Sequence, residues 1–177
     1  MKDTALLIID VQNSMIVDNP YNGKLLISNI QKLLQLAKDH SLPVIYIRHD
    51  GGKGDSLEKG TPGWEIYEEI APPKNSPIFD KRFNSAFKET GLHDYLQSVN
   101  IQKLILSGLQ TEYCIDATCK SAFDLGYEII IPENSTTTYD NAFFPADKLT
   151  KFFETKIWSG RFASVIPMEH MPTEFSQ

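Results

Sequence analysis

Short, unbroken apolar runs alternate with segments of helical period along this chain. The runs are Ala5-Leu6-Leu7-Ile8-Ile9, Val44-Ile45-Tyr46-Ile47, Leu104-Ile105-Leu106 and Ile129-Ile130-Ile131. A strand that is apolar at every position is covered on both faces, which is the situation inside a parallel sheet. Between the runs, Leu26, Ile30, Leu33, Leu34 and Ala37 recur at helical spacing from Lys24 to His40. Further helices are expected over Leu92 to Val99, Cys114 to Leu125 and Pro145 to Ile157. The first of these has Leu92, Tyr95, Leu96 and Val99 on one face, and the last turns Leu149, Phe152 and Phe153 inward. A short helix is expected from Pro62 to Ile70, with Thr61 as its cap. Shorter strands are expected at Ile78-Phe79 and from Phe162 to Ile166. The alternation predicts an α/β fold: three α-β-α layers around a central, mostly parallel sheet. No Pro/Gly/Ser-rich linker interrupts it, so residues 1–177 are read as a single domain.

Charge narrows the function. The net charge is −6, with no basic stripe, so neither nucleic acid nor an anionic membrane surface is an expected partner. No apolar run reaches membrane-spanning length, and the N-terminal run is too short for a signal sequence. The expected location is therefore cytoplasmic. Cys114 and Cys119 are the two cysteines, too few for a disulfide framework.

In open parallel sheets ligands collect at the carboxyl ends of the strands. That rule picks out Asp10, Arg48-His49-Asp50, Lys81 and the stretch from Gly108 to Cys114. Cys114 follows a strand by a short turn and precedes a helix, where a thiolate would be favoured and could act as nucleophile. Its ordinary reading is a small buried apolar residue. Asp10 closes a buried strand, which costs energy unless the carboxylate is paired or used. It could serve as general base, or simply form a turn. Lys81 could favour charged forms of both, or be a solvated surface lysine like most others.

Three blocks carry a resemblance: Ala5-Leu6-Leu7-Ile8-Ile9-Asp10-Val11-Gln12-Asn13, Lys81 to Phe87 with its Ser85-Ala86-Phe87, and Gly108-Leu109-Gln110-Thr111-Glu112-Tyr113-Cys114-Ile115-Asp116-Ala117-Thr118. In order and spacing they resemble the isochorismatase-like cysteine hydrolases, which have a Rossmann-like fold. The resemblance implies a catalytic triad of Asp10, Lys81 and Cys114. It also implies a cis peptide between Leu109 and Gln110, and an oxyanion hole made by the N–H groups of Gln110 and Cys114. The cysteine places the chain with the amidase branch, near streptothricin-hydrolase-like and N-carbamoylsarcosine-amidase-like proteins. The histidine spacing around His49 departs from the metal-binding nicotinamidase pattern, so no metal and no cofactor is expected.

The expected reaction is cleavage of an amide or lactam C–N bond of a small molecule through a thioester on Cys114. Gln12, His49, Trp64, Phe83 and Tyr113 are candidate substrate contacts. Trp64 has an equal reading as core or interface. The loops 50–63 and 134–144 are expected to shape the pocket. The alternatives are vinyl-ether hydrolysis on the same fold, a non-catalytic binding protein, and a Cys114–Cys119 redox pair. The resemblance also implies a homodimer or higher homo-oligomer. Phe143, Phe144 and Trp158 are its candidate interface residues, each with an equal reading as core.

Overall fold

Each apolar run forms a strand in the computed structural model, which describes residues 3–175. The strands are β1 (Thr4–Ile9), β2 (Val44–His49), β3 (Ile78–Lys81), β4 (Lys103–Leu109), β5 (Glu128–Pro132), β6 (Thr136–Thr137) and β7 (Ser164–Ile166). They form one seven-stranded sheet in the order β3-β2-β1-β4-β5-β7, with the two-residue β6 beside the end of β4. All the strand pairs are parallel. The helices are α1 (Asn13–Val17), α2 (Gly23–Asp39), α3 (Leu92–Ser98), α4 (Asp116–Asp124), α5 (Ala146–Phe152) and α6 (Met171–Glu174).

Alternate side chains of each strand go to opposite faces, and the core divides accordingly. Leu6, Ile8, Tyr46, Ile105 and Ile130 pack with Leu26, Ile30 and Leu33 of α2 and with Met171 and Phe175 near the C-terminus. Leu7, Ile9, Ile45, Ile47, Leu106 and Ile131 pack with Leu92 and Leu96 of α3, Cys119 and Ala122 of α4, and Trp158. Burying one such aliphatic side chain contributes about 1.5–3 kcal/mol. The central sheet between helical layers is the predicted architecture.

Several local expectations are corrected. Residues 62–67 do not form a helix; a single 3-10 turn at Glu68–Ile70 is all that appears. Thr61 does not cap it, since its hydroxyl donates to Glu58 O. The carbonyls of this segment serve α1 instead. Asn13 N–H donates to Glu65 O (2.9 Å) and Ser14 N–H to Gly63 O (3.0 Å). Trp158, an interface candidate, has no exposed surface and belongs to the core, whereas Phe143 is 86% exposed. Phe152 and Val99, expected inward, are exposed. For Phe152 the cause is a π-helical turn, Phe153–Trp158, that directly follows α5. Its longer period rotates Phe153 and Trp158 toward the sheet and leaves Phe152 outside.

The chain leaves β1 for β2 and β3 on one side, then returns to the other side of β1 with β4. The switch point lies between β1 and β4, where a crevice opens at the carboxyl ends of the strands. Gly108 keeps the two strands close there. Its φ is +135°, and a Cβ on it would stand 2.0 Å from Ile9 O. Gly108→Ala is therefore expected to lower stability by at least ~2 kcal/mol, through forced backbone displacement and an unfavourable dihedral. A urea midpoint equal to that of the unchanged protein would contradict this.

Candidate active site

Asp10 is the first residue past β1. Its N–H donates to Ile47 O (3.0 Å), which extends the β1–β2 pairing by one step. Its φ of 56° then turns the chain out of the sheet, a left-handed conformation that aspartate accepts more readily than most residues. Gln12 replaces the lost backbone partner with its side chain. Its Oε1 accepts His49 N–H (2.8 Å), and its Nε2 donates to His49 O (3.0 Å) and Trp64 O (2.7 Å). Gln12 therefore fixes the end of β2 and the loop behind it.

Lys81 ends β3, and no part of its side chain is exposed. The segment after it is clipped to α4: Ala86 N–H donates to Thr118 Oγ1 (3.0 Å), and Ser85 Oγ donates to Ser121 Oγ (2.9 Å). These bonds hold the β3 edge in register with the helix that follows Cys114. Cys114 lies in a π-helical turn, Thr111–Ile115, that opens directly into α4. The turn begins three residues before the cysteine, so Cys114 lies within it and not at the start of the helix. The Leu109–Gln110 peptide ahead of it is cis. Thr111 Oγ1 meets Thr136 Oγ1 (3.3 Å), and Thr138 Oγ1 donates to Glu112 Oε1 (2.9 Å). The β6 segment and Thr138 thus support the turn that carries Cys114.

These three elements converge on one ammonium group. Lys81 Nζ lies 2.6 Å from Asp10 Oδ2, 3.1 Å from Cys114 Sγ and 3.1 Å from His49 Nδ1. An oxygen of Asp10, a ring nitrogen of His49 and the cysteine sulfur lie within 4.8 Å of one another. This donor set would suit a metal ion, but its members are bonded to the lysine. The ammonium competes for the same lone pairs, so the residues as arranged do not fit a metal ion.

The electrostatics follow from burial and pairing. Burial works against the Lys81 charge, but attraction to Asp10 and Cys114 outweighs it and raises the lysine above its ordinary value. Burial, reinforced by the Asp10 carboxylate and opposed by Lys81, pushes the Cys114 thiol from 9.0 up to about 12. The sequence reading favoured a thiolate; at neutral pH the resting group is the thiol, because desolvation and Asp10 outweigh the lysine. Burial, then Lys81, lowers the pKa of His49, against smaller opposing effects of Asp10, Asp55 and Asp50. The imidazole is neutral at pH 7. Since an ammonium only donates, Nδ1 accepts and the ring proton sits on Nε2.

A pocket of about 310 Å³ opens over these groups, lined by Asp10, Met15, His49, Gly51, Asp55, Ser56, Leu57, Asn84, Gln110, Tyr113 and Cys114. Of the expected contacts, His49, Gln110 and Tyr113 line it. Gln12, Trp64 and Phe83 do not. Gln12 is fully buried in its backbone-like role. Trp64 lies under the Arg48 guanidinium, 3.5 Å from the ring centroid, and Phe83 lies under Lys88 Nζ at 3.8 Å. Loop 50–63 supplies four lining residues, and loop 134–144 supplies none. Asn84 was not singled out, although it follows Lys81 by three residues; its Oδ1 lies 4.0 Å from Cys114 Sγ. Cys119 is buried in the apolar core, away from the pocket lining, which speaks against a redox pair.

Two outcomes are expected. Alkylation of Cys114 by iodoacetamide, followed by peptide mass spectrometry, rises about tenfold per pH unit from pH 7 to 10, as the thiolate fraction grows. A plateau at or below pH 9 would contradict the raised thiol. Lys81→Met leaves a buried carboxylate unpaired and lowers stability by ~3–5 kcal/mol, while adding Asp10→Asn recovers most of the loss. Thermal and urea unfolding of the single and double variants check this.

Comparison with known proteins agrees with the geometry. The Isochorismatase domain family matches residues 4–166. Streptothricin hydrolase of Streptomyces noursei is 28% identical over 138 residues, which are 77% of this chain and 50% of that protein. The chain thus spans about half the length of that relative. Nicotinamidase 3 of Arabidopsis thaliana is 27% identical over 166 residues, 86% of this chain and 82% of the relative. The crystal structure of an isochorismatase from Pseudomonas putida superposes with a TM-score of 0.89 at 28% identity, covering 95% of this chain and 89% of that one. The protein belongs to the isochorismatase family.

Proposed function

We propose that this protein is an amidohydrolase that cleaves the C–N bond of a small amide or lactam through a thioester on Cys114. The observation that supports it best is the buried Lys81 ammonium, 2.6 Å from Asp10 Oδ2 and 3.1 Å from Cys114 Sγ. A carboxylate base and a thiol line one pocket, and a fixed positive charge is buried against both of them. Two of the relatives, a nicotinamidase and a streptothricin hydrolase, are hydrolases by name.

In the proposed reaction the Cys114 S–H proton passes to Asp10 as sulfur attacks the carbonyl carbon. Coupling the two events suits a thiol held near 12, because little free thiolate exists beforehand. The tetrahedral oxyanion is assigned to the N–H groups of Gln110 and Cys114. Asp10 returns its proton to the leaving nitrogen, the C–N bond breaks, and the amine or ammonia departs. Asp10 then takes a proton from water, hydroxide attacks the thioester, and the acid product leaves as the thiol is restored. Lys81 holds Asp10 and the sulfur in place throughout. His49 is assigned no base role, because its Nδ1 is occupied by Lys81.

Cys114→Ala and Asp10→Asn are each expected to lower turnover by at least ~10³-fold, the scale for groups that act as a unit, with the fold retained. Ammonia or amine release from a panel of small amides, with circular dichroism on each variant, makes the measurement. A folded Cys114→Ala protein with undiminished rate would end this reading. A slow substrate should leave an acyl adduct on Cys114 visible by mass spectrometry.

A further inference from the structure

The pocket lining carries two carboxylates of different status. Asp10 is neutralised by Lys81 at 2.6 Å. Asp55 has no ion-pair partner among the described residues. Three cations of the neighbouring segments are committed elsewhere, Arg48 Nε and Lys59 Nζ to Asp80 (2.9 and 2.7 Å) and Arg82 Nε to Asp50 (3.6 Å), and Lys53, two residues before Asp55, forms no ion pair among the described residues. The other acids of this loop are also engaged. Asp50 Oδ1 accepts Gly52 N–H (2.9 Å) and Glu58 Oε2 accepts Gly54 N–H (2.7 Å). Among the lining residues, Asp55 alone brings an uncompensated charge.

Asp55 is also held in position. Its Oδ1 accepts Leu57 N–H (2.8 Å), which leaves Oδ2 without a hydrogen-bond partner among the described residues. Gly51 N–H donates to Leu57 O (3.1 Å) and Asp55 N–H to Gly52 O (3.2 Å), closing the loop on itself. The carboxyl group packs against Gly51 so closely that a Cβ there would stand 2.3 Å from it. Its charge reaches the site, because it contributes to the electrostatics of His49. Tyr113 lines the same pocket and offers an aromatic face for a cation. Met15 and Leu57 provide apolar lining for an aliphatic stem.

We propose that Asp55 is a specificity residue and that the substrate is a small amide bearing a cationic amino group, which Asp55 binds while the amide carbonyl lies at Cys114. This rests on the amidohydrolase reading for the reaction, but the charge preference is measurable without turnover. Methanethiosulfonate reagents convert an accessible thiol into a mixed disulfide and release methanesulfinate. The first arm compares Cys114 modification by 2-aminoethyl and 2-sulfonatoethyl methanethiosulfonate, each normalised to free cysteine. The cationic reagent should be favoured, and Asp55→Asn should reduce that preference roughly tenfold, since removing one charge near the reacting group acts oppositely on the two reagents. Asparagine keeps the acceptor for Leu57 N–H, so the loop is retained. The second arm compares 4-aminobutanamide with pentanamide, its near-isosteric neutral partner. Asp55→Asn should raise KM for the former by about twofold to fivefold at low ionic strength, and by less at high salt because Asp55 is exposed and its charge is screened, with kcat and the neutral amide little changed.

An unchanged reagent preference in Asp55→Asn overturns the assignment, whether or not amides are cleaved. A preference that depends on Asp55, with no hydrolysis of any amide, upholds the cation site and removes the amidohydrolase reading.

Discussion

A lysine ammonium with no solvent contact must be surrounded by acceptors, and this requirement organises the carboxyl edge of the sheet. Isolated, such a charge would cost several kcal/mol or lose its proton. Lys81 keeps it because three acceptors from three strand ends reach it at hydrogen-bond distance: Asp10, Cys114 and His49. Each acceptor depends on the same ammonium. Asp10 would otherwise be an unpaired buried anion, the sulfur would lose the cation that favours its thiolate form, and the imidazole tautomer would be unspecified. The three groups form a single electrostatic unit, and changing one alters the protonation of the others.

Parallel topology makes the meeting possible. The strands that carry these residues all end at the same edge, and the order β3-β2-β1-β4 sets Lys81, His49, Asp10 and the Cys114 turn side by side. Close spacing of β1 and β4 at the switch point is equally necessary. Gly108 supplies it by having no Cβ to strike Ile9 O. Behind the edge, side chains take over work that backbone pairing leaves undone: Gln12 imitates a strand partner for His49, and Thr118 and Ser121 tie the segment after Lys81 to α4.

Much of this was legible in the sequence, for reasons that can be named. A strand covered on both faces is apolar at every position, so β1, β2, β4 and β5 announced themselves. A charged residue at the end of such a run stands out, which exposed Asp10. Lys81 and Cys114 gained meaning from surrounding blocks more than from their own type. Trp64 was ambiguous because a tryptophan suits a core or a pocket wall equally well; in the fold it is buried under the Arg48 guanidinium and outside the pocket lining. Gln12 could not be read as a backbone substitute, since that role exists only once two strand ends are placed. The segment 62–67 looked helical because a threonine and a proline resemble a cap. Its carbonyls instead accept from the first turn of α1, a long-range contact that no local pattern encodes.

The raised thiol bears on how such a site divides its labour. A cysteine kept as a thiolate by a neighbouring cation would react with any electrophile that reached it. Here burial and Asp10 hold the proton on sulfur, and the proposed base, Asp10 itself, lies beside the lysine. Reactivity then requires a ligand that sits correctly between sulfur and carboxylate, since only such a ligand lets proton transfer and bond formation proceed together. On the proposed reading, selection by the loop and chemistry by the strand edge are separate tasks. The edge residues are fixed by an interlocked set of hydrogen bonds and tolerate little change. The loop from Asp50 to Leu57 is closed by its own backbone and side-chain bonds, so its lining residues can differ without disturbing the ammonium and its acceptors.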